Sequence, residues 1–171
     1  FDLKPMDSRG IFKTVDLDMR QYSKLRMFLH AESLPGNEPL PGLKSEDEYD
    51  KRIVAFIRLG TDYQDNFYQI EIPLKPSDYD ENVSNSLTSE EVWIPDSNSM
   101  EISIDLLSRL KAKALQKLGL GETLYFDEEL NEIFEFTPIS ALPGQKKYKL
   151  AIKGNPSLGN IRTLMIGLKN P

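Results

Sequence analysis

Short apolar segments of strand length, separated by turn-forming residues, constrain the fold of this chain more than any other feature. The longest uninterrupted one runs from Ile53 to Ile57, far short of the ~20 apolar residues that a membrane-spanning helix needs. Apolar and acidic residues alternate in Val15–Met19, which is typical of a half-buried strand. The chain is therefore predicted to consist mainly of strands packed around a core.

Eight segments are predicted to form strands: 15–19, 22–31, 51–59, 67–72, 123–126, 133–136, 148–152 and 161–168. The segment 51–59 is almost continuously apolar, which predicts a central strand that is covered on both faces. In 22–31 and 148–152, alternate apolar residues share one face. These patterns predict a core that includes Leu25, Met27, Leu29, Ile53, Ala55, Ile57, Leu150 and Ile152.

One segment, at about 105–118, has the periodicity of an amphipathic helix. Asp105 suits its N-cap and Gly119 suits the position after its last turn. Its apolar stripe consists of Leu106, Leu107, Leu110, Ala114 and Leu118. Such a stripe needs a hydrophobic surface to cover, so the helix is predicted to pack on one face or end of a sheet.

The remaining segments indicate one domain with long loops. Residues 33–49 and 76–91 are rich in Pro, Gly, Ser, Asn and Asp and are predicted to be surface loops. A length of 171 residues fits a single soluble domain. The predicted class is mainly β, an antiparallel β-sandwich of jelly-roll type with one helix. Because the chain begins at Phe1 rather than Met, it is expected to be a fragment of a longer protein.

Charge is distributed unevenly along the chain. The net charge is −6, and no acidic residue occurs after Glu135, where six basic residues lie. Overall acidity argues against a nucleic-acid-binding module, which usually has a basic face. The sequence therefore predicts no nucleic-acid partner.

The inventory of catalytic residues is small. His30 is the only histidine, and cysteine is absent, so Cys–His catalysis and histidine-rich zinc sites are excluded. A lone histidine in a strand is more often packed or half-exposed than catalytic. Carboxylates are numerous enough for a glycosidase pair, but nothing in the sequence selects one. No enzymatic activity and no catalytic residue are predicted.

Two acidic turns have oxygen ligands at spacings that suit calcium. The candidate ligands are Asp62, Asp65, Asp78 and Asp80. Neither turn completes an EF-hand loop, and acidic turns without a metal are more common. Calcium is thus the one cofactor for which the sequence offers candidates, and no other cofactor is predicted.

Surface interaction is the remaining kind of function, and two sets of residues are candidates for it. Basic or aromatic interaction candidates are Lys146, Lys147, Lys149, Lys153, Tyr63 and Trp93. The acidic segments 45–50 and 78–81 offer charge of the opposite sign. Tyr63, Phe67, Tyr68, Tyr79 and Trp93 lie in one stretch and would suit a sugar or peptide platform, although most are expected to fill the core.

Several segments resemble the SprA/Sov family, the large outer-membrane translocon of the type IX secretion system in Bacteroidetes, which is also tied to gliding motility. The most specific parts are Arg26–Glu32 and the carboxyl-terminal segment from Gly154. The segments that carry the resemblance are Val15–Tyr22, Leu25–Glu32, Ala55–Asp62, Tyr68–Leu74 and Gly154–Pro171.

The resemblance implies a non-enzymatic, non-spanning domain of a protein-secretion channel in the cell outer membrane. It also implies a role in shaping, capping or gating the pore, or in docking. The implied partners are other domains of the translocon, subunits of the secretion system, or secreted cargo. Two alternatives remain, a jelly-roll binding module for a glycan or peptide and a carboxylate-dependent hydrolase.

Overall fold

The computed structural model of this chain describes residues 3, 6–31, 53–75, 93, 98–118 and 149–170. Seven strands, one 3-10 turn and one α-helix lie entirely within these residues. In chain order they are β1 (Ser8–Leu17), the 3-10 turn (Met19–Gln21), β2 (Lys24–Phe28), β3 (Val54–Gly60), β4 (Phe67–Pro73), β5 (Ser99–Ser103), α1 (Ile104–Leu118), β6 (Lys149–Lys153) and β7 (Ile161–Lys169).

Five of the strands form an antiparallel sheet in the order β1-β7-β3-β4-β6. β3 lies in the middle of this sheet, as its continuous apolar sequence predicts, and all but one of its residues are buried. The register places Ile57 between Ile70 of β4 and Ile166 of β7. Cross-strand apolar pairs of this kind stabilise the sheet.

The second sheet consists of β2 and β5, which pair antiparallel. Leu25 and Met27 of β2 lie opposite Ile102 and Met100 of β5, and both residues of β5 are fully buried. Polar residues alternate with them on the exposed face. β2 was predicted from this alternation, whereas β5 was not assigned from the sequence.

Helix α1 begins at Ile104, directly after β5. Asp105 therefore lies in the first helical turn rather than at the predicted N-cap, where its carboxylate still suits the positive end of the helix dipole. The predicted stripe is buried at Leu106, Leu107 and Leu110. Lys111 anchors the helix to the β6–β7 loop, since its Nζ donates to the carbonyl of Pro156 at 2.7 Å.

Both sheets and the helix contribute to one hydrophobic core. Ala55, Ile57, Leu150 and Ile152 are buried in it, and the other four predicted core residues, Leu25, Met27, Leu29 and Ile53, pack against it while partly buried. The mainly antiparallel β class with a single helix is confirmed for the described residues. The jelly-roll topology stays a prediction, because the strands 123–126 and 133–136 and both long loops lie outside the described residues.

Candidate interaction surface

The turn between β3 and β4 is organised by the carboxylate of Asp62. Its Oδ1 accepts hydrogen bonds from the backbone N–H groups of Gln64, Asp65 and Asn66 at 2.9, 2.5 and 3.0 Å. Its Oδ2 accepts one from the side-chain amide of Asn66 at 2.8 Å. These donors favour the ionised carboxylate, so they hold the pKa of Asp62 well below its ordinary value, the Asp65 N–H first among them.

The end of β6 fixes this turn from the other side. Lys153 Nζ donates to the carbonyl of Gln64 at 2.6 Å and to Oδ1 of Asp65 at 3.0 Å. Asn66 Oδ1 accepts from the N–H of Asn155 at 3.1 Å. Two loops that are far apart in sequence therefore form one junction at the end of the sheet, and Lys153 is part of its structure rather than a free surface cation.

The calcium candidates are only partly described. Asp62 uses both carboxylate oxygens in hydrogen bonds within the turn, and Asp65 is paired with Lys153. Among the described residues, no group of three or more His, Asp or Glu side chains is arranged to hold a metal. Asp78 and Asp80 lie outside the described residues. Calcium binding stays a prediction.

Arg58 links the turn to the outer face of the sheet, which is the face turned away from the core. Its Nη1 donates to the carbonyl of Tyr63 at 2.7 Å, and its Nε donates to Gln69 Oε1 at 2.7 Å. The guanidinium lies 4.0 Å from the ring centroid of Phe67, a favourable cation–π position. Arg58 therefore holds the Tyr63 backbone in place.

The polar array continues across the outer face. Gln69 Nε2 donates to Glu71 Oε1 at 2.5 Å. Lys169 of β7 pairs with Glu71 Oε2 at 2.6 Å, and the Glu71 side chain is only 12% exposed. A half-buried carboxylate with these two partners is satisfied within the chain, so this array stabilises the sheet and offers no free charge to a ligand.

Tyr63 contributes an aromatic side chain to the edge of this face. Its ring lies 5.3 Å from that of Phe12 in β1, tilted by 32°. Phe12 is 62% exposed, and its neighbour Ile11 is 76% exposed. Among the described residues this pairing makes the β1 edge an apolar surface with an aromatic flank.

The other aromatic candidates have different positions. Trp93 is half-exposed and packs against His30, which follows β2, with ring centroids 5.2 Å apart. Phe67 and Tyr68 are buried, as expected of most members of this group, and Tyr79 lies outside the described residues. The structure therefore brings Tyr63 and Lys153 to one turn and places Trp93 beside β2.

The predicted lysine patch can be followed only in part. Lys153 is bound in the loop junction, and Lys149 begins β6, where it pairs in register with Glu71. Lys146, Lys147 and the acidic segments 45–50 and 78–81 lie outside the described residues. Patch-based binding through these lysines stays a prediction.

Sequence reasoning missed most of β1. The strand runs from Ser8, whereas the prediction began at Val15. The part that was missed is exposed throughout, and it shows no apolar–polar alternation, because Ile11 and Phe12 stand next to each other. Only the end of the strand, Val15–Leu17, alternates, and the one usable signal before it was the pair of adjacent apolar residues between Arg9 and Lys13.

These features define a class of protein: a mainly antiparallel β domain whose accessible features are an exposed strand edge and its flanking loops. The chain belongs to the SprA_N family, described as motility related/secretion protein, whose model matches residues 1–171. The resemblance drawn from the sequence is thereby confirmed. No curated protein matches the chain. Within the described part of the chain, no helix has the length and apolar character to cross a membrane.

Proposed function

We propose that this chain is a non-enzymatic structural domain of the outer-membrane protein-secretion channel of the type IX system in Bacteroidetes. In this role it shapes, caps or gates the pore, or docks a partner or cargo. The observation that carries the proposal is the match of a motility and secretion family model to all of residues 1–171. Gliding motility would then depend on the same domain through the secreted proteins.

The described surface supports a role in contacts rather than in chemistry. His30, the only histidine of the sequence, has its ring against Trp93. The half-buried ionisable groups Arg58, Glu71 and Lys169 are joined to one another through hydrogen bonds and an ion pair. By contrast, large apolar side chains are exposed along β1, and exposed apolar patches commonly mark interaction sites.

Thiol labelling tests the proposed role, because the chain contains no cysteine of its own. Single substitutions Phe28→Cys and Ile11→Cys introduce a thiol at exposed positions, and Ser108→Cys on the exposed side of α1 serves as a comparison. In cells that carry the variant in the native protein, attaching a bulky maleimide to a residue that faces the pore or a partner should slow secretion. Secretion that stays unchanged after labelling at both Phe28→Cys and Ile11→Cys would contradict the role.

A second candidate is a binding module of jelly-roll type for a glycan or peptide. The exposed ring of Phe12 beside Tyr63 favours it, since paired aromatic side chains provide a stacking surface. A glycan-array experiment distinguishes this candidate from the first. Specific retention of one glycan that is lost in Tyr63→Ala would support this candidate. If no glycan is retained specifically, glycan binding is excluded as the function of the module.

A further inference from the structure

The free edge of β1 is an extended surface with no partner in the described structure. β1 ends the five-stranded sheet and, among the described residues, pairs only with β7. It is 10 residues long, whereas β6 at the opposite end of the sheet has 5. A long edge strand presents a row of unpaired backbone N–H and C=O groups, which is a template for another strand.

The register identifies which backbone groups face outward. Asn170 N donates to the carbonyl of Asp7 at 2.9 Å, so residues 7 and 170 face each other in a hydrogen-bonded position. Such positions alternate along an antiparallel pair, and β1 keeps a constant register with β7 from Ser8 to Thr14. The backbone groups directed away from β7 are therefore those of Ser8, Gly10, Phe12 and Thr14, of which the Ser8 N–H already donates to Asp7 Oδ1 at 3.0 Å.

The side chains of this edge also differ from those of β6. In β6, Leu150 and Ile152 are buried in the core. In β1, Ile11 and Phe12 are 76% and 62% exposed. Two large apolar residues at the centre of an unpaired edge are a costly arrangement for an isolated soluble chain, because they invite edge-to-edge association. A strand added at this position would cover both.

The charges of β1 indicate which kind of strand fits. Arg9, Ile11 and Lys13 share one face, because side chains alternate along a strand. Arg9 pairs with Asp7 at 3.0 Å, but its side chain is 71% exposed, and so exposed a pair is weak enough for Arg9 to turn to an added strand. A strand laid along this edge places every second side chain opposite these three residues. Acidic residues opposite the two cations, with an apolar residue between them opposite Ile11, give favourable cross-strand pairs.

The same charges disfavour the pairing of two copies of the chain that would place the two Ile11 side chains opposite each other. In an antiparallel pairing of two β1 strands centred on Ile11, Arg9 of each copy would lie opposite Lys13 of the other. Like charges directly opposite each other destabilise a strand pair. An acidic strand avoids this repulsion and still pairs with the outward backbone groups.

We propose that the β1 edge binds an extended acidic peptide segment of a partner protein as an additional antiparallel strand. The inference rests on the proposed docking role and names the chemistry of its partner. Backbone hydrogen bonds to Gly10, Phe12 and Thr14 hold the segment, while Arg9 and Lys13 select acidic side chains and the Phe12–Tyr63 pair contacts the opposite face. This is recognition by strand addition.

Residue-resolved amide hydrogen exchange of the 171-residue chain tests the proposal. The probe is a capped synthetic peptide with the order Glu-Leu-Val-Thr-Glu, in which the two glutamates and the valine share one face of the strand. At saturating peptide, exchange should slow by roughly tenfold or more at Gly10, Phe12 and Thr14, because these amides gain hydrogen bonds. Exchange at Arg9, Ile11 and Lys13, which already bond to β7, should change little.

Two altered peptides separate strand addition from simple charge attraction. The first carries lysine in place of both glutamates and should not bind. The second keeps the glutamates but has N-methyl groups on the amides that would face β1, which removes the donors, and it should also fail to bind. Binding that survives N-methylation would overturn the proposal, because the contact would then be electrostatic only.

Matched variants of the chain complete the test. Arg9→Ala/Lys13→Ala should weaken peptide binding by up to about 25-fold, given up to ~1 kcal/mol for each of two cross-strand charge pairs. The control Arg26→Ala/Arg109→Ala removes two cations of similar exposure, each in a surface ion pair away from β1, and should bind the peptide normally. Equal loss in both variants would contradict a site at β1.

The outcomes also separate this inference from the proposed function. If the acidic peptide does not protect the β1 amides, the inference is overturned, even if thiol labelling shows that the domain acts in secretion. Concentration-dependent dimerisation that protects the same amides would identify a second copy as the occupant and overturn it as well. If the peptide protects these amides but cells do not need the domain for secretion, the binding site stands and the proposed secretion role is contradicted.

Discussion

The side chain of Asn98 pairs with the backbone of Lys75 as if it were a residue of a neighbouring strand. Its Nδ2 donates to the Lys75 carbonyl at 2.8 Å, and its Oδ1 accepts from the Lys75 N–H at 2.9 Å. Asn98 is 1% exposed, and its own carbonyl accepts from Leu29 N at 3.0 Å. One buried amide thus ties the end of β4 to the start of the β2–β5 sheet.

Replacement of Asn98 by Ala should destabilise the chain by about 1–3 kcal/mol, because the part-buried N–H and C=O of Lys75 lose their partners at a side chain that is itself buried. Asn98→Asp should cost more at neutral pH, since a carboxylate cannot donate to the Lys75 carbonyl and is buried beside it. Urea unfolding measures both. The exposed Asn155→Ala is the control and should stay within ~0.5 kcal/mol of the unaltered chain, and an equal effect at both sites would contradict the structural role of Asn98.

Gly154 is predicted to tolerate no side chain. Its φ is +62°, and a Cβ at this position would lie 2.1 Å from the carbonyl oxygen of Asp65. Gly154→Ala should therefore cost at least about 1–2 kcal/mol for the left-handed backbone alone. Gly10→Ala, whose Cβ would find its nearest neighbours at 3.4 Å, is the matched control, and thermal unfolding should show little change for it. A neutral Gly154→Ala would show that the loop junction is looser than described.

The turn held by Asp62 should make stability depend on acid pH. The pKa of Asp62 is lowered in the folded chain from its ordinary value of 3.8. The contribution of the Asp62 carboxylate to the free energy of unfolding is thus complete above that value, and it is lost as the pH falls toward the pKa of the folded state. The urea midpoints of the unaltered chain and Asp62→Asn should differ at pH 7 and converge as the pH falls below 3.8. Asp105→Asn, at an exposed ion pair of α1, should show a smaller difference throughout.

Burial predicts the ranking of two core substitutions. Ile57 is 2% exposed at the centre of the five-stranded sheet, whereas Leu29 is only partly buried against the core. Ile57→Ala should cost ~2–5 kcal/mol, and Leu29→Ala should cost less. Denaturant unfolding of both variants under the same conditions measures the difference, and a larger effect at Leu29 would contradict the assignment of the core.

The sequence predicted the fold best where an element is buried on both faces or where apolar and polar residues follow a regular period. The apolar run in β3 predicted the central strand, and the periodicity at 105–118 predicted α1. β5 was missed although Met100 and Ile102 alternate with polar residues, because the strand has only five residues and runs directly into the helix. β1 carried a periodic signal only at its end, Val15–Leu17, since its residues before that are exposed on both faces.

The candidate surface was less predictable, because it depends on contacts between distant residues. Lys153 was selected as a free basic residue, but it lies against Gln64 and Asp65 in the folded chain. Asp62 was selected as a calcium ligand, and its oxygens accept hydrogen bonds from its own turn. In both cases the sequence shows a charged side chain that needs a partner, and the fold shows a partner within the chain.

The most direct test of the central claim is the amount of folded cargo that cells export when residues 1–171 are removed in frame from the native protein. Export should fall sharply, and surface motility should be lost. The remainder of the protein should still be present in the outer membrane at normal amounts, as measured by quantitative immunodetection. Normal export and normal motility, with the shortened protein present at the same level, would contradict the claim that this domain works in secretion.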